Sequence, residues 1–567
     1  MRLFDYILYS VAFNYSIMGV METWRCRWKL FLSLLLAVPC LAFAQESPLV
    51  RDIRVERTNV FDPTDPTQNR APYTWVNKLH LVTREDVVRR EILLRPGDAF
   101  DPYLKDQSAR NLRAYAFLKG AQIEAVAIKG SDNVDLVVHT QDTWTTELSP
   151  AVGTVGGKSH YGFLVQERNL LGLGKDLELD YTDGLQGIDR SVHYTDGRVF
   201  GSRVSFDGGH SDNAHGYGSS GSLSLPAYSL LAPFAMNIQG SHFRLIEDIF
   251  SEGAIANEYR HERKSFEVSR EESLVATRQE ALRFSYGYKF AEDIFIASGS
   301  FNNASLPENR SFRTAKMGLS YVRAKYIAEN FVGRFDRVDD FNLGFEGGLS
   351  LGYSARLLGA PRDTLLPALS FQIGRLLGPG RFMTISADTT FRYESGDFRH
   401  IIQGLNVNYY RKNSFVPNNT IVAHGEIARG IHMDGDSQLM LGGDSGLRGY
   451  RLHAFAGTRS LMANVEDRLY LVNDWLHVVS LAPVVFWDAG YVWPTRQGAW
   501  QPKDLKHDVG FGMRFGFPRS ASFSAMRMDI SYALNSAQAP NSRWLFSLAV
   551  GHAFRERNNS LKKALPQ

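Results

Sequence analysis

The feature that most constrains the fold is a recurrent alternation of apolar and polar residues, which runs from residue 146 to residue 554. A side-chain period of two is that of a β-strand, in which successive side chains point to opposite faces. In residues 281–290 the alternating apolar set is Leu282, Phe284, Tyr286, Tyr288 and Phe290. Such segments recur about every 25 residues, which predicts about sixteen antiparallel strands.

A soluble β-sandwich would show the same alternation, so the N-terminus helps to choose between the two environments. Residues 1–44 read as a secretory signal peptide, with an apolar run at Leu30–Val38 and a small-residue cleavage site at Ala42–Ala44. The residues before Met21 have no evident role, and we expect the true start to be Met21 or Met18. Secretion together with aromatic strand ends favours a barrel with lipid outside.

Beyond the signal peptide the sequence has no apolar run of about 18 residues, the length a membrane-spanning helix needs. Only helices and closed barrels satisfy every backbone polar group in lipid, so we expect a closed transmembrane barrel. Cys26 and Cys40 both lie in the signal peptide, which predicts a mature chain without disulfides. The net charge of +3 gives no reason to expect a nucleic-acid partner.

Residues 47–142 have a different pattern and are predicted to form a small α+β domain. Val50–Val60 reads as a strand, and Thr83-Arg-Glu-Asp86 reads as a capping box that opens a helix. Asp101 followed by Pro102 predicts the start of a second helix. Two final strands, 122–129 and 134–140, are joined by a Gly-Ser-Asp-Asn turn, which predicts a hairpin.

One arginine stands out, because Leu441–Tyr450 places Arg448 between glycines in a segment unsuited to a helix or a plain strand. If this loop folds into the protein interior, the guanidinium is stable only beside a carboxylate. Asp488 and Glu466 are the candidates. In a partly wet lumen, removal of one partner is predicted to cost about 1–3 kcal/mol.

These segments resemble the BamA/TamA-type outer-membrane barrels with POTRA domains, a superfamily that includes the two-partner-secretion transporters. Leu447-Arg-Gly-Tyr450 looks like the signature at the tip of that family's inward-folded sixth loop. Phe486-Trp-Asp-Ala-Gly490 resembles the strand motif whose Asp receives the Arg, and Gly162–Gly172 also looks like the family's sequence. The resemblance implies a mainly β protein, with a single POTRA domain at 47–142 followed by a 16-stranded antiparallel transmembrane β-barrel at 146–554.

The same resemblance implies roles for individual residues. The loop lock would comprise Arg448, Gly449, Tyr450, Asp488, Glu466 and Gly490. Trp544, Phe546 and Phe554 would belong to the terminal strand, which forms the barrel seam and carries the assembly signal. The family usually ends at or near such an aromatic residue, whereas here a polar tail follows at 555–567.

The function implied is an assembly or translocation factor of the bacterial outer membrane, with no catalytic residues, metal or cofactor. Its partners would be outer-membrane lipid, an unfolded periplasmic client polypeptide and periplasmic accessory proteins. A two-partner-secretion transporter for one dedicated client is an alternative, although that family usually has two POTRA units and an N-terminal plug helix. A passive pore and a structural surface antigen are further alternatives.

Two motifs could be mistaken for enzyme or metal sites. Gly443-Asp-Ser-Gly446 resembles the nucleophile segment of serine proteases, but no histidine stands in a recognisable setting upstream, and Gly-rich turn chemistry explains it. His210, Asp212 and His215 could hold a metal, but such residues are common in loops rich in Gly and Ser. We expect neither site to be functional.

Overall fold

The computed structural model describes residues 48–150, 153–155, 158–184, 187–251, 253–298, 306–333, 335, 338–443, 445–493, 501–521, 526–535 and 543–550. From Leu49 onward they belong to one compact unit. The predicted signal peptide, Phe554 and the polar tail lie outside the described residues.

The described residues begin with a small α+β unit, residues 48–142. Its sheet has the order β1-β3-β2, with β1 parallel and β2 antiparallel to the central strand. Three short helices accompany the sheet, and the shared core includes the fully buried Val88, Leu112 and Leu136. The elements are β1 (Val50–Thr58), α1 (Tyr73–Leu79), α2 (Glu85–Arg89), α3 (Pro102–Arg113), β2 (Gln122–Ala127) and β3 (Val134–Gln141).

The two predicted helix starts have different outcomes. Asp101 caps α3 as predicted, because its carboxylate accepts a 2.9 Å hydrogen bond from the Tyr103 N–H. Thr83 does not cap α2, so that prediction is wrong. Its N–H and hydroxyl instead donate to the buried carboxylate of Asp142, at 2.6 and 2.9 Å. Helix α1 was not expected from the sequence; its Tyr73 packs against Phe61 in a separate small core.

The remaining described chain forms a closed antiparallel barrel with two small accessory sheets. Short 3-10 turns occur at Leu170–Gly172, Val199–Gly201, Arg356–Leu358 and Pro502–Asp504. The strands are β4 (Thr146–Pro150), β5 (Gly153–Val155), β6 (Lys158–Glu167), β7 (Lys175–Gly184), β8 (Gly187–Asp196), β9 (Ser205–Asn213), β10 (Gly216–Leu225), β11 (Phe234–Ser251), β12 (Ala254–Ala276), β13 (Glu280–Ala297), β14 (Arg310–Arg323), β15 (Tyr326–Glu329), β16 (Asp339–Asn342), β17 (Phe345–Ser354), β18 (Thr364–Gly378), β19 (Arg381–Glu394), β20 (Asp397–Lys412), β21 (Asn419–Ile431), β22 (Leu439–Leu441), β23 (Phe455–Gly457), β24 (Arg459–Leu469), β25 (Val472–Trp475), β26 (Val479–Trp493), β27 (Lys506–Gly516), β28 (Met526–Ala533) and β29 (Trp544–Val550).

The barrel wall has more strands than predicted. Segments β4 and β5 both pair with β6, and β24 and β25 both pair with β26, so each couple occupies a single strand position in the wall. On this basis the described residues form twenty wall strands. The mainly β fold with a large antiparallel barrel is confirmed, but the predicted count of sixteen barrel strands is not. Many connections are only a few residues long, so the strands recur more often than the spacing suggested.

The wall is apolar outside and polar inside. Leu349, Phe511 and Phe546 are 54%, 54% and 45% exposed. Asn464 and Asp529, at inward-facing positions, are fully buried. This is the inverted arrangement expected of a barrel surrounded by lipid. Among the described residues, none of the helices has the length and apolar character needed to cross a membrane.

Each end of the barrel is partly covered by a long connection that folds inward. At the end nearest the α+β unit, residues 324–344 join β14 to β17 and contain the β15–β16 hairpin; we call them the mouth segment. At the other end, residues 432–458 join β21 to β24 and contain the β22–β23 hairpin; we call them the tip loop. The sequence pattern indicated only the second of these.

The mouth segment reaches far along the wall. Phe335 lies against Gly516 of β27, seven strand positions from β17. The backbone carbonyl of Val332 accepts hydrogen bonds from Arg468 at 2.9 Å and from Tyr470 at 3.0 Å. The segment therefore follows the inner side of the wall, since Lys412 of β20, Thr420 of β21 and Arg468 of β24 bind successive residues between 329 and 332.

The α+β unit is fixed to this end of the barrel by several polar contacts. Arg113 of α3 makes two hydrogen bonds to Asp340 of the mouth segment, at 2.9 and 3.1 Å. Arg519, in the turn between β27 and β28, donates to the carbonyl of Val60 at 2.9 Å. The Trp144 N–H donates to the carbonyl of the same Arg519. These contacts set the position of the sheet relative to the lumen.

Candidate functional site

The tip loop turns into the barrel through a backbone that favours glycine. Gly446 has φ +108°, in the left-handed region, and a Cβ there would lie 1.8 Å from the Met462 sulfur. The next residues point inward, and Leu447, Arg448 and Tyr450 are each at most 1% exposed. A glycine-rich stretch thus lets a loop place a cation inside the lumen wall.

Arg448 lies between the two carboxylates that the sequence indicated. Its Nε and Nη2 donate to Asp488 at 2.7 and 2.6 Å, and its Nη1 donates to Glu466 at 2.5 Å. The guanidinium also lies 3.5 Å above the Phe486 ring. Charge-assisted, bidentate hydrogen bonds of this kind are strong and directional. Both acids are fully buried.

Further charged side chains extend this site, and sequence reasoning missed them. Arg514 donates to Glu466 at 3.1 Å and to Asp529 at 2.5 Å. Arg468 donates from Nε to Glu466 at 2.7 Å. We call Arg448, Asp488, Glu466, Arg468, Arg514 and Asp529 the Arg448 network. Asp529 alternates with the outward-facing residues of β28, so the period-two pattern could have placed it in the lumen.

Glycine is required at one loop position by close packing. A Cβ on Gly449 would lie 2.6 Å from the Asp508 Cβ. Gly490 faces the apolar side of the loop, where a Cβ would meet Leu441 at 2.9 Å. The Tyr450 hydroxyl donates to the His507 carbonyl at 3.0 Å. These three sequence-selected positions thus fit the tip loop closely against the wall.

A second attachment holds the first part of the tip loop, at Asp434 and Asp436. Arg310 of β14 donates to Asp436 at 2.9 and 2.6 Å and lies 2.9 Å from Asp434. Arg392 of β19 makes two hydrogen bonds to Asp434, at 2.8 and 2.7 Å. The loop is therefore fixed to the wall at two separate places, each through arginine and carboxylate.

The first and last wall strands meet at a seam. Within the described residues, β29 pairs with β5 at one position, Leu548 opposite Thr154, and with β28 at seven. Trp544 and Phe546, predicted for the terminal strand, lie on β29 and are 56% and 45% exposed on the outer face. Phe554 is outside the described residues.

The two motifs that imitate other sites have structural explanations. The Ser445 hydroxyl donates to the Gly442 carbonyl at 3.0 Å, within a turn. His210 and Asp212 lie on strand β9 rather than in a loop, and His210 contacts Ser219 at 2.8 Å. Among the described residues, no group of three or more His, Cys, Asp or Glu side chains could hold a metal ion.

Comparisons with known proteins give one curated relative and several solved structures. No family model matches the chain. An outer membrane protein assembly factor of Treponema pallidum (strain Nichols) is 26% identical over 134 residues, 22% of this chain. The match spans 16% of that relative's length.

The solved structures are similar at low identity. BamA of Haemophilus ducreyi lacking POTRA domains 1–3 has 13% identity and a TM-score of 0.34, covering 88% of this chain and 84% of its own. CdiB of Escherichia coli has 12% identity and a TM-score of 0.42, and the match covers 89% of this chain and 76% of that one. CdiB of Acinetobacter baumannii has 12% identity and a TM-score of 0.38, and the match covers 89% of this chain and 74% of that one.

The chain is a protein of the bacterial outer membrane. A closed antiparallel barrel with an apolar exterior and a buried polar interior is the architecture of proteins that span that membrane.

Proposed function

We propose that this chain is an outer-membrane assembly or translocation factor, in which the α+β unit captures an unfolded periplasmic client and the barrel inserts or exports it. The seam beside that docked unit, where one pair joins β29 to β5 among the described residues, carries the proposal. The curated relative, described as an outer membrane protein assembly factor, agrees with it. The α+β unit has the order and strand arrangement of a POTRA domain, and its end of the barrel faces the periplasm.

The client would dock on the exposed edge of the small sheet. In the order β1-β3-β2, strand β2 lies at an edge, and five of its six side chains are exposed. An extended polypeptide can add to such an edge through main-chain hydrogen bonds, independently of its own sequence. This suits a factor that handles unfolded chains.

The seam gives the client a place to enter the wall. Strand β29 is held by seven described pairs on one side and by one on the other. The first wall strand also contains Pro150, which has no N–H to donate to a ladder. A client strand added at this seam would satisfy main-chain groups that lipid cannot.

A passive pore is less well supported, because one connection folds inward at each end of the barrel. The mouth segment lies along the inner side of the wall, and the tip loop is fixed inside the lumen at two attachments. Conductance that does not depend on a client, measured in planar bilayers, would favour the pore.

The seam can be locked by a disulfide, since both native cysteines lie in the predicted signal peptide. The variant Thr154→Cys/Leu548→Cys joins β5 to β29. Its matched control, Met528→Cys/Leu548→Cys, uses the same position on β29 but joins it to β28. The probe is an unfolded outer-membrane barrel polypeptide added to proteoliposomes, with its folding followed by heat-modifiable gel migration.

We expect the oxidised seam variant to fold the probe at the background rate and to recover when reduced. The oxidised control should keep the wild-type rate. Wild-type acceleration in the oxidised seam variant would show that the seam does not open. If the wild-type protein itself gives no acceleration, assembly of membrane proteins is the wrong activity.

A further inference from the structure

We propose that a cleft between the α+β unit and the barrel rim binds a phosphate group, carried by a phospholipid in the periplasmic leaflet. This is a binding site separate from the Arg448 network and from the seam, and it does not depend on the client. The cleft has a volume of about 350 Å³ and lies beside the turn that joins β8 to β9.

The walls of the cleft divide into a cationic and an apolar part. Among its described lining residues there is no carboxylate, and the apolar part is formed mainly by Ile92, Leu93, Leu94 and Pro96. The cations are five arginines, three from the α+β unit and two from the β8–β9 turn: Arg89, Arg90, Arg95, Arg198 and Arg203.

Three of these arginines are already neutralised by acids outside the cleft. Arg198 donates to Glu91 at 2.6 Å and Arg89 donates to Glu85 at 2.6 Å, while Arg90 pairs with Asp86. The other two, considered next, therefore decide the charge of the cleft.

Arg95 and Arg203 have no ion pair within the described residues. The Arg203 guanidinium lies 3.5 Å above the ring of Tyr228, and its Nη1 is buried without a hydrogen-bond partner among the described atoms. Both arginines line the cleft, so an anionic oxygen in the cleft can accept charge-assisted hydrogen bonds from their guanidinium groups. Guanidinium groups are well suited to phosphate because their N–H groups match its oxygens.

The position of the cleft favours a lipid as the source of the phosphate. Phe200 lies at the tip of the β8–β9 turn, with φ +50°, and is completely exposed. Leu171, at the same place in the neighbouring β6–β7 turn, is 57% exposed. Such side chains at the rim of a membrane barrel lie in the interface. Arg198 and Arg203 flank Phe200, which places the cleft at headgroup depth.

The experiment measures lipid retention by native mass spectrometry on the full-length protein released from detergent. The probes are dioleoyl phosphatidylglycerol, dioleoylglycerol, which has the same chains without phosphate, and inorganic phosphate. We expect phosphatidylglycerol to be retained in preference to dioleoylglycerol. In Arg95→Gln/Arg203→Gln its affinity should fall at least about tenfold, since each interfacial arginine contributes favourably to the binding of an anionic lipid.

Two further variants separate charge at the cleft from general effects. Lys78→Gln/Lys129→Gln removes two charges from the same unit at residues that do not line the cleft, and should keep wild-type retention. Arg95→Lys/Arg203→Lys keeps the charge and should lose less than the glutamine pair. Heat-modifiable migration verifies that each barrel is folded.

Equal phosphatidylglycerol retention by wild type and the glutamine pair would overturn the proposal, as would equal retention of dioleoylglycerol and phosphatidylglycerol by the wild type. If inorganic phosphate displaces phosphatidylglycerol at millimolar concentration, the phosphate site stands and the lipid source is refuted. Without displacement, the acyl chains contribute to binding and the source is the lipid.

Discussion

Replacement of Arg448 by alanine tests the central contact of the barrel. The substitution removes three charge-assisted hydrogen bonds, two to Asp488 and one to Glu466. Glu466 keeps the guanidinium groups of Arg468 and Arg514. Asp488 loses its arginine and becomes the main uncompensated charge.

The size of the effect follows from burial. The side chains of Arg448 and Asp488 are 1% and 0% exposed, so the site is drier than the partly wet lumen assumed from the sequence. Removal of one member of a buried ion pair costs about 3–5 kcal/mol, because the remaining charge stays out of water. We therefore expect a loss in that range rather than the 1–3 kcal/mol predicted from the sequence.

The assay is the midpoint temperature of heat-modifiable migration in detergent, compared with urea unfolding. The matched control is Arg451→Ala, three residues further along the same loop, where the side chain is exposed. Arg448→Ala should lower both midpoints, and Arg451→Ala should lower neither. Arg448→Ala/Asp488→Asn should recover part of the loss, since it removes the orphaned charge. Identical midpoints for the two single alanine variants would refute the reasoning.

Three other predictions concern the loop backbone, the mouth segment and the junction. Gly449→Ala should destabilise the barrel by about 1–3 kcal/mol, since its Cβ would overlap Asp508, whereas Gly435→Ala in the same loop meets ordinary contacts; urea unfolding in detergent compares them. Replacement of residues 327–341 by a short Gly-Ser linker should raise single-channel conductance in planar bilayers, and unchanged conductance would show that the mouth segment does not obstruct the lumen. Burial raises the pKa of the Asp142 carboxyl to about 6, so its folded state binds a proton more tightly than the unfolded state. Stability should therefore fall by up to about 3 kcal/mol as pH rises from 4 to 6 and level off above it, and Asp142→Asn should flatten this part of the thermal-stability profile.

The parts of this structure that depend on a local sequence pattern could be predicted from the sequence. Alternation predicted lipid-facing strands because a barrel wall repeats the same inside-outside choice at every residue. An arginine among glycines indicated Asp488 and Glu466 because a buried cation needs a carboxylate, and the structure places all three in contact. The Asp101 cap of α3 is a similarly local signal.

Other features depend on contacts between distant segments and were not predictable in this way. Thr83 has the local pattern of a cap, but Asp142, 59 residues away, is the stronger acceptor. The mouth segment has no apolar repeat, and its position depends on carbonyl contacts with Arg468 and Tyr470 from another part of the wall. The predicted number of strands was wrong for a different reason. A spacing averaged over long connections underestimates the number of strands that are joined by tight turns.

The two inward-folded segments share one side chain, which has a physical consequence. Arg468 donates from Nε to Glu466 in the Arg448 network and from Nη1 to the Val332 carbonyl in the mouth segment. The network holds the tip loop through buried ion pairs. The mouth segment is held by hydrogen bonds to its carbonyl groups, by aromatic packing, and by the partly exposed ion pairs Arg113–Asp340 and Lys412–Glu329. Hydrogen bonds to neutral carbonyl acceptors and partly exposed ion pairs cost less to break than buried, fully paired charges, because breaking a buried pair leaves a charge out of water. The mouth segment is therefore the easier of the two to release, and residues that share a guanidinium are not energetically independent. A change in the Arg448 network that moves Arg468 therefore also weakens the attachment of the mouth segment at the end nearest the α+β unit.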